Sequence, residues 1–97
     1  LLTPGLGHMP PKLGWIDMML DDDDEYWNRV ALFSPFTVWF NQTGQPAISL
    51  PVGQTNDGFP LSIQAVSSFA NEAMLFRFAS QLEKSIKWET KRPITYL

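Results

Sequence analysis

No cysteine occurs among the 97 residues, which excludes disulfide bracing and thiolate catalysis within the chain. Histidine is nearly as scarce: His8 stands alone, and one imidazole without a thiol cannot supply the ligand set of an ordinary zinc site. It reads as a loop histidine. Basic residues are outnumbered, seven Lys and Arg against ten Asp and Glu, for a net charge of −3. Without a basic field, binding to nucleic acid or to an anionic membrane lacks its electrostatic driving force. Long hydrophobic runs are also missing. The longest, residues 30–40, is interrupted by Ser34-Pro35 and is too short to span a bilayer, and no charged n-region precedes an apolar core, so no signal peptide is read. No Gly-x-Ser-x-Gly elbow is present and His8 is remote in sequence from the hydroxyl clusters, so no serine is nominated as a nucleophile.

What the chain does have is apolar and aromatic bulk. Hydrophobic residues make up 44% and aromatics 13%, including four Trp and seven Phe, generous for one small domain and expected to face a neighbour. The opening Leu1-Leu2-Thr3-Pro4, with no initiator Met, reads as the end of a buried strand in a chain cut from a longer protein. Its strand neighbours are expected outside this sequence. Residues 1–20 otherwise form a loop segment, rich in Gly and Pro and pinned by Trp15, Ile16, Met18 and Met19.

The run Asp21-Asp22-Asp23-Asp24-Glu25 opposes the positive end of a helix dipole and marks a helix start. A metal reading would need an EF-hand spacing and its glycine, which are absent. Residues 21–43 are expected to form a bent helix, kinked at Ser34-Pro35 because proline removes an intrahelical donor; two short helices are the other solution. Gly44 supplies the left-handed conformation that ends the helix, and Pro46 prevents its continuation. Residues 46–66 then form a strand hairpin, with the turn signalled by Asn56-Asp57-Gly58. Residues 71–87 form a helix with Leu75, Phe78, Ala79, Leu82 and Ile86 on one face and Arg77, Gln81, Lys84 and Lys87 on the other. Residues 88–97 are an extended tail in which Pro93 opposes further helix.

The motif Asn41-x-Thr43-Gly44-x-Pro46-Ala47-Ile48-Ser49-x-Pro51-x-Gly53, followed by Gly58-Phe59-Pro60-Leu61-Ser62-Ile63-Gln64-Ala65-Val66 and Asn71-Glu72-Ala73-Met74-Leu75, resembles the C-terminal end of amidase-signature hydrolases. Leu1-Leu2-Thr3-Pro4, Pro10-Pro11 and Leu13-Gly14-Trp15 look most like the branch of 6-aminohexanoate-cyclic-dimer hydrolases. The resemblance implies an α/β fold with a mixed central sheet flanked by helices, to which this chain adds a strand hairpin and two or three helices. It also implies a Ser-cis-Ser-Lys triad in upstream sequence, so no catalytic residue, metal or cofactor is assigned here and the chain alone is expected to be inactive. Ser49, despite its place in the motif, is explained by strand alternation.

What the resemblance does assign to this region is one wall of the acyl pocket, carried back from Asn41 onto Ala31, Ser34 and Val38. Their spacing of three and then four fits one helix face. The implied substrate is a small linear or cyclic amide. The implied partner is the remainder of the parent amidase or, for the chain alone, self-association, in the cytoplasm, with no nucleic acid and no membrane. Two alternatives stay open: a non-catalytic α+β interaction module, and a subunit of a glutamine amidotransferase. Against the second, amidotransferase members carry an acidic residue seven positions before the Asn, where this chain has neutral Ser34.

Overall fold

A computed structural model describes residues 1–91; residues 92–97 of the expected tail, Pro93 among them, lie outside the described residues. The described residues form a three-stranded antiparallel sheet with three α-helices, a mixed α/β arrangement. Strands β1 (Leu2–Pro4), β2 (Ala47–Gln54) and β3 (Pro60–Val66) are ordered β1-β3-β2. Helices α1 (Asp23–Phe33) and α2 (Val38–Thr43) precede the hairpin, and α3 (Glu72–Ile86) follows it.

Helix α1 begins where the acidic run is hydrogen-bonded as well as charged. Asp22 is the N-cap, and its carboxylate accepts from the backbone N–H of Asp24 at 3.0 Å and of Glu25 at 3.2 Å, satisfying donors that the first turn leaves open. The helix stops at Ser34, whose φ of −127° and ψ of 57° are not helical. Residues 21–43 are therefore two helices separated by a turn and not one bent helix. The cause is Pro35, which removes a donor and, through its ring, pushes the preceding residue out of the α region. The turn is closed by the hydroxyls of Ser34 and Thr37, 2.7 Å apart.

Helix α2 ends at Gly44, with φ of +72° and its N–H donated to Phe40 O at 2.9 Å. That left-handed cap reverses the chain into β2. The hairpin then turns over residues 55–59: Gly58 N–H reaches Thr55 O at 2.9 Å, Gly58 has φ of +86°, and Thr55 Oγ1 accepts from Phe59 N–H at 3.1 Å. A bulge between Pro51 and Gly53 interrupts the register of β2. Both the proline and the bulge suit a strand at a sheet edge.

The strand at the N-terminus does not wait for an outside neighbour. Leu2, Thr3 and Pro4 stand opposite Ala65, Gln64 and Ile63 of β3, and Leu1 exchanges two bonds of 2.9 Å with Val66. The expectation that its partners lie beyond this sequence is corrected. β3 had one edge free after pairing with β2, and the N-terminal strand pairs there.

Leu50, Ala65, Val66 and Leu75 form the small buried apolar core. Leu75 comes from α3, which packs on β2, with Phe78, Ala79, Leu82 and Ile86 half-buried along the same face. Lys87 caps the helix at φ of +54°, and Trp88–Thr90 form a 3-10 turn, so the start of the tail is wound and not extended. The exposed surface is 7642 Å², against roughly 5600 Å² for a compact monomer of this mass. Leu13, Met18, Met19, Trp27, Trp39, Met74 and Phe76 are all more than half exposed. Among the described residues no helix is long and apolar enough to cross a membrane.

Strand β1 lies close on β3 just beyond their paired residues. Gly5 donates to Ser62 O at 2.9 Å, and a Cβ at Gly5 would stand 2.0 Å from Ser62 Oγ. Gly5→Ala is expected to cost about 1–3 kcal/mol, whereas Gly53→Ala, with open space around it, should stay within about 1 kcal/mol apart from any bulge effect. Denaturation midpoints of the two variants check this; equal values would mean that β1 does not hold its place.

Candidate functional site

The α1–α2 turn sits over the polar row of the sheet. Thr3, Gln64 and Ser49 face one another across β1, β3 and β2, and strand pleating sends them to one face together. Gln64 is 4% exposed. Its Nε2 donates to Thr3 Oγ1 at 3.1 Å and to Phe36 O at 3.3 Å. Because Thr3 Oγ1 donates its own proton to Pro4 O at 3.0 Å, it must accept from Gln64, and a carbonyl can only accept. Both neighbours thus demand that nitrogen face them, which fixes the amide orientation.

A second tie comes from the N-terminal loop. Gly7 N–H donates to Phe33 O at 3.0 Å, and a Cβ there would meet Leu32 O and Pro35 Cγ, each at 2.6 Å. Further along, Arg29 of α1 pairs with Glu25 at 2.7 Å, donates to Trp15 O at 2.8 Å and lies 5.6 Å over the Trp15 ring. His8 stacks on the other partner of that cluster, 5.4 Å from Trp15, with Nδ1 donating to Met9 O at 2.6 Å. These contacts pack the loop on α1. They also leave Trp15 half-buried within the chain, as a residue that pins the loop should be.

Beside the polar row lies a groove of about 430 Å³, lined by Thr37, Phe40 and Asn41 on the helix side and by Ile48, Ser49 and Gln64 on the sheet side. No charged side chain lines it. Such a surface offers hydrogen bonds to a neutral polar group and nothing to compensate a buried charge. Among the described residues no cluster of three carboxylate, imidazole or thiol groups could hold a metal ion.

Ala31 is exposed on α1, Ser34 is the half-buried cap at the end of α1, and Val38 is the first residue of α2, also exposed. None of them lines the groove. The break at Pro35 means that they do not ride on one continuous helix, so the face argument from their spacing fails for Val38. Ser34 still meets the groove indirectly, through its bond to Thr37. The residue that sequence reading passed over is Gln64. Its signal was an amide inside the apolar run of residues 61–66, where alternation alone would not bury it.

The comparison with known families decides what kind of chain this is. The amidase family model matches residues 1–76. The chain belongs to the amidase family. A 6-aminohexanoate-cyclic-dimer hydrolase of Pseudomonas sp. (strain NK87) is 37% identical over 96% of this chain, and one of Paenarthrobacter ureafaciens is 36% identical over 96%. A solved structure of 6-aminohexanoate cyclic dimer hydrolase superposes with a TM-score of 0.83 at 32% identity over 96% of this chain, and one complexed with substrate with a TM-score of 0.82. This amidase-family chain spans about 20% of the length of those relatives, so it corresponds to one segment of such an enzyme.

The close approach of the loop to the helix break can be tested directly. Gly7→Ala forces its new methyl against Leu32 O and Pro35 and is expected to cost about 1–3 kcal/mol, with faster hydrogen exchange at the Ser34 amide. A wild-type melting temperature and unchanged exchange would show that the loop does not brace the turn.

Proposed function

We propose that this chain forms the C-terminal segment of an amidohydrolase that cleaves carboxamide C–N bonds, with its Ser-cis-Ser-Lys triad supplied by sequence outside the chain. The observation that carries the reading is the superposition on 6-aminohexanoate cyclic dimer hydrolase at a TM-score of 0.83 over 96% of the chain. In this reading the segment contributes sheet core and one wall of the acyl pocket, where Ala31, Ser34 and Val38 lie. Its substrate is a small linear or cyclic amide with an uncharged acyl part. Neutral Ser34 and the uncharged groove beside it support that choice over glutamine, whose α-ammonium group calls for a carboxylate. The remainder of the enzyme covers Trp27 and Trp39, 64% and 61% exposed, and the outer edges of β1 and β2, which are unpaired among the described residues.

Assay of the full-length protein on amides of graded acyl length, with glutamine as the contrast, tests the activity. Preference for glutamine with transfer of ammonia would favour the amidotransferase. Ser34→Asp keeps an acceptor for the Thr37 hydroxyl but adds a charge with no cation beside it. It is expected to lower kcat/KM for uncharged amides roughly tenfold or more. Unchanged kinetics at every acyl length would place Ser34 outside the pocket.

The isolated chain is expected to self-associate, because open strand edges and exposed aromatics seek cover. Sedimentation at several concentrations checks this; a single monomeric species with two-state unfolding would favour the non-catalytic module.

A further inference from the structure

We propose that Gln64 is the positioning residue for the pocket wall: its side-chain amide fixes the α1–α2 turn, and hence Ser34, against the sheet, and so sets acyl selectivity. The inference rests on the amidohydrolase reading above. Three observations lead to it. Gln64 is 4% exposed in the central strand, and its Nε2 spans from Thr3 of β1 to Phe36 O in the turn. Helices α1 and α2 touch the strands only sparsely, α3 being the helix that packs on the sheet. The turn is itself closed by the Ser34–Thr37 hydroxyl bond at 2.7 Å.

Beside the Gly7 tie at the end of α1, this part-buried hydrogen bond from the sheet sets the place of the turn. Such a bond is directional, and losing it leaves the half-buried Phe36 carbonyl without its protein partner. The turn would then shift to recover a partner, carrying Ser34 and Thr37 with it. Gln64 itself need not touch substrate. Its influence passes through the turn, and Thr37 and Gln64 both border the uncharged groove.

The test compares two variants of the full-length protein, one that removes both hydrogen bonds of the Gln64 amide and one that removes only the bond to Thr3. Gln64→Met abolishes the bond to Phe36 O, whereas Thr3→Val removes the other acceptor and leaves that bond in place. Hydrogen exchange over residues 34–40 is expected to rise at least tenfold in Q64M and to stay within twofold of wild type in T3V. Equal exchange in Q64M and wild type overturns the proposal, as does an equal rise in both variants, which would mark a general loss of stability. In the kinetic arm, the ratio of kcat/KM for long against short acyl amides should change at least fivefold in Q64M, and the effect of Ser34→Ala on that ratio should shrink in the Q64M background. A ratio that stays at the wild-type value, or effects of the two substitutions that simply multiply, overturns it as well. A wild-type protein that turns over no amide overturns the functional reading and the selectivity role with it, while the exchange arm still reports separately whether Gln64 holds the turn.

Discussion

One backbone conformation, the φ of +72° at Gly44, governs the path of the whole chain. A residue with a Cβ resists that geometry, whereas glycine adopts it freely. The cap turns α2 back into β2 without a loop, and the bonds next to it make the corner rigid. Gln45 Nε2 donates to Ser67 O at 3.2 Å, and Ser67 N–H donates to Pro46 O at 3.1 Å. The beginning of β2 is thereby clamped to the end of β3, so both ends of the hairpin are set from one point. Ser67 passes the constraint on, since its hydroxyl donates to Asn71 O at 2.8 Å at the entrance to α3.

Beyond the corner, hydrogen bonds carry an unusual share of the organisation because the apolar core is small. Four buried apolar residues cannot by themselves hold three helices to a sheet, given that each buried side chain contributes only about 1.5–3 kcal/mol and every ordered residue costs about 1–2 kcal/mol in backbone entropy. The aromatic surface left over fits a segment whose larger apolar contacts lie with the rest of an amidase. Within the chain, order in the N-terminal loop and the α1–α2 turn comes from directional ties: Gly7 to Phe33, Arg29 to Trp15, Gln64 to Phe36.

The break at Pro35 shows how one residue divides local from functional structure. Had residues 21–43 formed a single bent helix, Ala31, Ser34 and Val38 would share a stripe. Instead Ser34 leaves the helical region and its hydroxyl turns to Thr37, which places a polar turn over the polar row of the sheet. The groove that results is bordered by side chains from residues 37 to 64, and its neutrality is a property of this juxtaposition more than of any single motif.

Several features were determined by sequence because their physics is local. Gly44 and Gly58 mark positive φ, Pro46 forbids helix, the acidic run caps α1, and the 3.6-residue period of α3 selects Leu75 and Phe78 for its packed face. The family, too, was legible, since its motif is concentrated at that helix-to-strand corner. Tertiary structure alone decided the pairing of β1 with β3 and the burial of Gln64. Each depends on partners dozens of residues away or on a competition between neighbouring contacts: Thr3 and Gln64 are separated by 61 positions, and no periodicity or turn residue encodes which strand edge the N-terminus will find free. The helix break lies between the two, because Pro35 announced a disruption but only the bond between Ser34 and Thr37 settled it as a turn.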